Sequence, residues 1–389
     1  MRRLYRFCWA LILGLGWGCL SATALAQVPG SPTITGQGSA QVRNGDLALA
    51  RWQATADALK NAIESHGATV RSGTLMSNGK VFETLRIQSD IRTRDVTVLE
   101  EKRQGEQLTI TIQATIDDGA PSIDSPSADC SRGYRKRVVF TALPLQRPTQ
   151  LKRGEVTNLP SSLAQLLAAA TDRSGKLEAL AEPGISLLAG DNPQVRPEQL
   201  TALLARQRAQ VVVAGVVRNF YPVKDAGLLG MVSLGEPDRL LELDLQVLGP
   251  LEEGPMTRKQ FSFRLPGMAL TGAAGNVGSE AFAASPFGLA LAQAMDVVNR
   301  WLEESVLCSP YTARVLQADG GRLLLDAGSQ GGLKEGDGVI VFRLGQGNGL
   351  AQPLASATVR KTQADRATAE VGHPGGALAV RAGDVVVGQ

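Results

Sequence analysis

The spacing of hydrophobic positions changes twice along the chain and divides it into three parts. In the first part, apolar residues at helical spacing precede segments in which polar and apolar residues alternate. Asn44 or Asp46 can cap this helix, and Gly67 ends it. The apolar positions of the helix are Leu47, Ala50, Ala54, Ala58, Ala62 and Ile63. The opposite side carries Arg51, Lys60 and Glu64.

Strands follow this helix. Alternation predicts strands over residues 84–91, 95–101 and 108–116, with Gly105 in the turn between the last two. Val96 and Val98 are predicted to point inward from the second of these strands. One helix on a small antiparallel sheet buries all of these apolar positions, so an α+β domain is expected.

The second part alternates strand-like and helix-like segments. Strands are predicted over residues 137–143, 210–217, 240–248 and 261–265. Helices are predicted over residues 161–171, 197–208 and 288–306. In residues 240–248, leucines alternate with Glu242, Asp244 and Gln246, which predicts one solvent-facing side. The pattern favours an α/β sheet with helices on both faces.

The third part shows no helical pattern. Short strands are predicted over residues 313–317, 321–325, 339–344, 355–361 and 367–371, separated by Gly and Asp-Gly turns. Residues 334–337 and 381–384 each form a basic-x-Gly-Asp turn before a valine-rich stretch. This pattern predicts a small all-β barrel.

The first 26 residues read as a secretory signal peptide. Arg2, Arg3 and Arg6 precede an apolar run, and an A-x-A pattern predicts cleavage between Ala26 and Gln27. No later run reaches the ~20 apolar residues of a membrane span, so we expect no transmembrane segment in the mature chain. The predicted organisation is a signal peptide (1–26), an N-terminal α+β domain (27–117), a linker (118–129), a middle α/β domain (130–309) and a C-terminal β domain (310–389).

Two of the four cysteines, Cys8 and Cys19, lie within the leader, which leaves Cys130 and Cys308. A single pair of cysteines in an oxidising compartment usually forms a disulfide. The alternative is two independent buried thiols. We predict the disulfide, which would join the two ends of the middle domain.

Charge argues against nucleic acid as a partner. The chain has 40 Lys and Arg residues, and removing the three leader arginines leaves 37, equal to its 37 Asp and Glu residues. A nucleic-acid-binding protein needs a clustered basic face. The densest basic run contains Arg132, Arg135, Lys136 and Arg137. It is interpreted either as solvated charge at the start of a strand or as a possible patch for an acidic protein or an anionic cell-wall polymer.

Candidate catalytic residues are scarce. Of the two histidines, His66 falls in the last turn of the first helix and His373 in a loop, so neither suggests a metal site or a Ser-His-acid triad. Ser77 and Lys80 have S-x-x-K spacing, but Asn78-Gly79 between them is typical of a hairpin turn. The glycine-rich residues 272–278 lack the Gly-Lys-Ser/Thr of a phosphate-binding loop. We therefore expect no catalytic, cofactor or metal site.

The order of these parts resembles the flagellar assembly protein T family. The resemblance covers nearly the whole mature chain and rests on several short segments. They are residues 36–40, 46–51, 56–58, 134–138, Pro148, Gly154, 331–337 and 381–384. It implies an N-terminal α/β domain, a middle domain similar to the N-terminal domain of the translocation protein TolB, and a β-rich C-terminal domain.

The resemblance also implies a non-enzymatic structural role. Members are expected in the periplasm, around the flagellar basal body near the outer membrane, in the H-ring that supports the stator. The implied partners are LP-ring proteins, other H-ring or T-ring proteins and, indirectly, the stator, with further copies in a homo-oligomeric ring. Two alternatives are a periplasmic binding adaptor of another envelope complex and a periplasmic hydrolase. The hydrolase is disfavoured by the scarcity of histidines and of acid pairs.

Overall fold

The computed structural model describes most of the chain after the leader. The described residues are 33–65, 70–71, 75–77, 80–82, 86–87, 92–117, 134–150, 158–188, 195–223, 236–251, 255–267, 276–277, 279–307, 309, 311–344 and 352–388. Some predicted boundaries lie wholly or partly outside these residues and stay predictions. They are the linker 118–129, the cleavage site at Ala26 and Gln27, and the domain ends at 117/118 and 129/130.

The N-terminal domain contains one helix and a three-stranded antiparallel sheet in the order β1-β7-β6. Its elements are β1 (Thr33–Gln41), α1 (Leu47–Ser65), β2 (Val70–Arg71), β3 (Leu75–Ser77), β4 (Lys80–Phe82), β5 (Arg86–Ile87), β6 (Arg92–Gln104) and β7 (Gln107–Asp117). Ser77 pairs with Lys80 across the β3–β4 hairpin, as the Asn78-Gly79 turn predicts. Ser77 therefore does not begin a helix, which the S-x-x-K interpretation would require.

Helix α1 covers the sheet through small residues. Leu108, Ile110 and Ile112 of β7 are fully buried beneath Ala54 and Ala58 of α1, as predicted. Strand β1 was not predicted, because its inward positions include two glycines. A Cβ atom on Gly36 would lie 2.1 Å from Ala58 O, and one on Gly38 would lie 2.1 Å from Ala58 N. The helix backbone thus rests directly on the strand backbone.

The same helix satisfies the free edge of β1. The Ser39 amide donates a hydrogen bond to Asp57 Oδ2 at 3.0 Å. Asn61 Nδ2 donates to the Gln37 carbonyl at 2.8 Å. Two backbone groups that could pair with a foreign strand are thereby occupied by side chains of α1.

Strand β6 departs from simple alternation. The pairing of β6 with β7 shifts register between Arg94 and Thr97, and again between Val98 and Glu100. Val96 packs against the core as predicted. The prediction that Val98 points inward is wrong: Val98 is 47% exposed, and the adjacent Leu99 is 54% exposed. Bulges at an edge strand redirect side chains in this way.

The middle domain has a five-stranded sheet in the order β12-β11-β10-β8-β9. Its elements are β8 (Arg137–Thr141), α2 (Leu159–Ser174), β9 (Glu178–Glu182), α3 (Pro197–Gln207), β10 (Val211–Pro222), β11 (Arg239–Leu248), β12 (Pro255–Leu265), α4 (Glu280–Ala283) and α5 (Pro286–Leu307). Strand β8 runs parallel to β9 and β10, while β11 and β12 extend the sheet antiparallel. Helices α2 and α5 pack on one face and α3 on the other, which confirms the predicted arrangement.

One prediction for β11 is wrong. Asp244 and Gln246 were expected on a solvent-facing side, but they are 3% and 5% exposed. Arg258 of β12 covers Asp244, donating from Nε to Oδ1 at 2.8 Å and from NH2 to Oδ2 at 2.5 Å. A cross-strand ion pair thus replaces water at this position.

The C-terminal domain is a closed six-stranded barrel in the order β13-β14-β17-β16-β15-β18. Its elements are β13 (Thr312–Asp319), β14 (Arg322–Leu325), β15 (Gly338–Arg343), β16 (Gln352–Thr362), β17 (Ala367–Val371), α6 (Pro374–Ala377) and β18 (Val385–Gly388). The barrel was predicted; the short helix α6 was not.

The two basic-x-Gly-Asp turns of the barrel have the same geometry. The Lys334 amide donates to Asp337 Oδ2 at 2.8 Å, and the Arg381 amide donates to Asp384 Oδ2 at 2.7 Å. The glycine of each turn, Gly336 or Gly383, is left-handed, with φ of +93° and +92°. Each turn leads into a barrel strand, so the predicted repeat is confirmed.

Candidate functional site: two junctions on the C-terminal barrel

The described residues offer little for catalysis. They contain no group of three or more His, Cys, Asp and Glu side chains placed to hold a metal ion. His373 Nδ1 accepts a hydrogen bond from the Gly375 amide at 3.1 Å, so this histidine caps α6. His66 lies outside the described residues. None of the described helices is both long and apolar enough to cross a bilayer. The candidate sites are two surfaces where the barrel meets the other domains.

The first junction joins the N-terminal domain to the barrel through Asp46. Asp46 Oδ1 accepts from the Leu49 amide at 2.9 Å and caps α1. Asn44, the other predicted cap, instead lies in the preceding turn with φ of +54°. Ser356 of β16 donates to the same carboxylate, from its amide to Oδ2 at 2.8 Å and from Oγ to Oδ1 at 2.7 Å. One side chain thus both starts a helix and holds the barrel.

An apolar cluster beside Asp46 contains residues from all three domains; we call it the three-domain cluster. Its members are Leu49, Trp52, Leu251, Ile340, Phe342 and Val387. The rings of Trp52 and Phe342 meet edge to face, with centroids 5.3 Å apart. Trp52 Nε1 is buried and has no hydrogen-bond acceptor in the part of the chain that the structure describes. The cluster therefore buries apolar side chains from three domains and leaves the Trp52 Nε1 donor unsatisfied.

The second junction joins the middle domain to the barrel. Tyr134, just before β8, stacks on Tyr311, just before β13, with ring centroids 4.7 Å apart. Tyr134 OH donates to Asp337 Oδ2 at 3.2 Å, and the Arg135 amide donates to the Gly331 carbonyl at 3.2 Å. Burial, with the nearby Asp337 charge, raises the pKa of Tyr134 to about 12. The tyrosine stays a neutral donor at neutral pH.

Lys136 was predicted to belong to a surface patch, and this prediction is wrong. Lys136 is 2% exposed. Its Nζ donates to the carbonyls of Val306 at 2.5 Å and Leu307 at 2.9 Å, to the Ser309 carbonyl and to Ser309 Oγ. These acceptors lie at the C-terminal end of α5, where unpaired carbonyls and the helix dipole favour a cation. Burial lowers the pKa of Lys136 to about 7.

The other members of the basic run have separate surroundings. Arg137 pairs with Glu178 of β9 at 2.8 Å and donates from NH1 to the Gln207 carbonyl at 3.2 Å. Arg135 is exposed, and Arg132 lies outside the described residues. The four side chains do not form one basic surface, because Lys136 is buried and Arg137 is bonded to Glu178 and Gln207 within the middle domain. An interaction through Arg132 and Arg135 stays a prediction.

Helix α3 adds polar contacts to the second junction. Arg314 of β13 donates from NH2 to the Thr201 carbonyl at 3.1 Å, and Arg208 pairs with Asp365 at 2.8 Å. Burial lowers the pKa of Arg314 and raises the pKa of Asp326, whose carboxylate accepts the Arg314 amide at 2.6 Å. The barrel therefore contacts the middle domain at the entry to β8 and along α3.

Cys130 and Cys308 both lie outside the described residues, so their disulfide stays a prediction. Lys136, six positions after Cys130 in the sequence, donates hydrogen bonds to Leu307 and Ser309, the residues on either side of Cys308. No local sequence pattern indicates this lysine contact. None indicates the pairing between Asp46 and Ser356 either, because a local pattern carries no information about a residue so distant in the chain.

Comparison with solved structures finds distant likeness. A hypothetical protein, CT253, from Chlamydia trachomatis is 19% identical, with a TM-score of 0.32 over 44% of this chain and 98% of that one. The PelC dodecamer from Paraburkholderia phytofirmans is 9% identical, with a TM-score of 0.25 over 45% and 89%. Protein XCC0632 from Xanthomonas campestris is 15% identical, with a TM-score of 0.28 over 44% and 85%. Likeness of this extent carries no argument about function.

Family models give a definite result. A search of curated protein sequences found no match. Residues 32–118 match the model of the N-terminal domain of flagellar assembly protein T, and residues 128–267 match the model of its middle domain. The two matches occur in the family's order and together cover more than half of the sequence, and they coincide with the helix-on-sheet domain and the five-stranded sheet. The chain belongs to the flagellar assembly protein T family.

Proposed function

We propose that this chain is a non-enzymatic periplasmic structural protein that assembles around the flagellar basal body as part of the H-ring and supports motor function and flagellum formation. The observation that carries this proposal is the ordered match of residues 32–267 to two domains of one flagellar assembly family. A role in flagellar assembly follows from the family; the position in the H-ring is our proposal.

The two junctions are what a structural role would need. A ring subunit presents several surfaces to its partners, so its domains must be joined to one another. Here Asp46 and the three-domain cluster hold the N-terminal domain on the barrel, while Tyr134 and Arg135 hold the middle domain on it. These contacts suit action through surfaces rather than through a catalytic pocket.

The predicted signal peptide supports a periplasmic location. In that compartment the proposed partners are LP-ring proteins, other H-ring or T-ring proteins and, indirectly, the stator, with further copies of this chain in a ring. Fractionation of cells that express the chain with and without residues 1–26 tests the location. Recovery of both forms in the cytoplasm would contradict it.

Deletion of the gene tests the function. We expect loss of swimming, loss of an outer ring from purified basal bodies and restoration of both by the full-length chain. An antibody to the chain should label basal bodies from the complemented strain and not those from the deletion strain. Normal swimming with complete rings would overturn the proposal and favour an adaptor of another envelope complex.

A further inference from the structure

We propose that the contact between α1 and the barrel is a reversible latch: the N-terminal domain and the barrel separate and rejoin there while each stays folded. This inference goes beyond the proposed flagellar role and does not depend on it. It rests on the position of the three-domain cluster relative to the hydrophobic cores, on the hydrogen bonds of Asp46 and on the buried Trp52 Nε1, which has no acceptor among the described residues.

Opening the latch exposes neither domain's core. Helix α1 uses one side, with Ala50, Ala54 and Ala58, to pack on its own sheet, and a different side, with Leu49 and Trp52, to meet the barrel. The barrel strands are likewise two-sided. Val339, Val341 and Val386 fill the barrel interior, whereas Ile340, Phe342 and Val387 point outward into the three-domain cluster. Separation therefore uncovers only a few apolar side chains, as in a transient interface.

The helix keeps its cap when the latch opens. The Leu49 amide and Asp46 belong to the same domain, so their hydrogen bond persists after Ser356 has left. The Asp46 oxygens and the Ser356 groups then bond to water, so no buried polar group is left unpaired. Release thus costs the contact itself and does not unfold α1.

Trp52 favours the open state. In the closed state its Nε1 is buried and has no acceptor among the described residues. In the open state water accepts this hydrogen bond, which lowers the free energy of opening. The edge-to-face contact with Phe342 and the burial of Leu49 favour the closed state. Opposing contributions of this kind give a two-state contact rather than a permanent one.

The tryptophan content makes the latch measurable. Of the four tryptophans, Trp9 and Trp17 lie in the predicted leader, which leaves Trp52 and Trp301. Trp301 lies in the core of the middle domain against Phe261. In the mature chain with Trp301→Phe, fluorescence and its quenching by acrylamide report on Trp52 alone. We expect Trp52 to become accessible at urea concentrations below those at which circular dichroism shows unfolding.

Two substitutions should open the latch in the absence of urea. Phe342→Ala removes the ring that Trp52 contacts, and Asp46→Asn keeps a helix-capping side chain while weakening the bonds to Ser356. Each should red-shift the emission of Trp52 and raise its acrylamide quenching constant by about twofold or more, with circular dichroism unchanged. The matched control is Phe263→Ala, a half-buried phenylalanine on β12, which should leave Trp52 protected.

The decisive outcome is the order of the two transitions. If exposure of Trp52 and loss of circular dichroism coincide in the parent and in both variants, the N-terminal domain and the barrel form one cooperative body and the latch is overturned. Should Phe342→Ala fail to fold, Asp46→Asn still decides, because it changes no core residue. Motility does not enter this test, so the latch and the proposed flagellar role succeed or fail separately.

Discussion

Asp46 and Ser356 stand 310 positions apart in the sequence, yet Ser356 donates both its amide and its hydroxyl to the Asp46 carboxylate at 2.8 and 2.7 Å. The same carboxylate caps α1 through the Leu49 amide. The start of a helix in the N-terminal domain and the attachment of that domain to the barrel therefore depend on one side chain. Substitution of Asp46 should affect both.

Asp46→Ala should lower the free energy of unfolding by about 2–4 kcal/mol, because it removes a helix cap and charge-assisted hydrogen bonds together. Ser356→Ala should cost only about 0.5–1.5 kcal/mol, since its amide still donates. In a double-mutant cycle measured by urea unfolding, the two losses should be less than additive. Equal losses in the two single variants would show that Asp46 acts through Ser356 alone.

Local pattern predicted most elements but not β1. The segment that forms it has polar residues on one side and Ile34, Gly36, Gly38 and Ala40 on the other, a weak strand signal. Those glycines are required by a contact with α1 that no local pattern encodes. Bulges cause the error at Val98, because a single inserted residue reverses the facing of those that follow.

The polar contacts were harder to predict than the fold. Asp244, Gln246 and Lys136 were all placed in solvent by their chemistry, and all are buried. Each of the two charged groups is buried against a partner supplied by another element: Arg258 for Asp244 and the end of α5 for Lys136. Burial of a charged group depends on such a partner, which is known only once the elements are assembled.

Gly38→Ala should destabilise the N-terminal domain by about 3 kcal/mol, because the new methyl group would meet the backbone of α1, which cannot move aside as a side chain can. Gly184→Ala is the control, since a Cβ atom there meets nothing within 4 Å. It should change stability by less than about 0.5 kcal/mol. Thermal unfolding followed by circular dichroism compares the two. A tolerated Gly38→Ala would mean that helix and strand are not in close contact.

Arg258→Ala should cost about 2–4 kcal/mol, because it leaves the Asp244 carboxylate buried without its ionic partner. Arg360 forms a similar pair with Glu370 at 2.9 Å, but both side chains are exposed. Arg360→Ala should therefore change stability by less than about 0.5 kcal/mol. Urea unfolding of the two variants separates burial from pairing, and equal losses would contradict the assigned role of Asp244.

Cys130 and Cys308 are predicted to form a disulfide that joins the ends of the middle domain. Intact mass spectrometry of alkylated mature protein should show two free thiols only after reduction. Reduction, or Cys130→Ser, should lower the melting temperature, because the unfolded chain regains conformational freedom. Two alkylated cysteines in the unreduced protein purified from the periplasm would establish independent thiols instead.

Lys136 should make stability depend on pH. Burial lowers its pKa to about 7 in the folded protein, whereas an unfolded lysine titrates near ~10.4. Between these values the unfolded chain binds a proton that the folded chain has released, so the free energy of unfolding rises with pH; below about 7 both states are protonated and the dependence vanishes. The raised pKa values of Tyr134 and Tyr311 keep both neutral in this window.

Lys136→Met isolates this effect, because it retains an apolar chain and removes the titrating group. The wild-type free energy of unfolding, minus that of Lys136→Met, should be flat from about pH 5 to pH 7 and then increase up to about pH 10. The matched control is Lys361→Met, at an exposed position of β16, for which the same difference should show no such rise. The free-energy difference between the wild type and Lys136→Met could instead stay flat above pH 7, or fall. That result would mean that the carbonyls of Val306, Leu307 and Ser309 and the helix dipole keep the buried ammonium charged despite its loss of water.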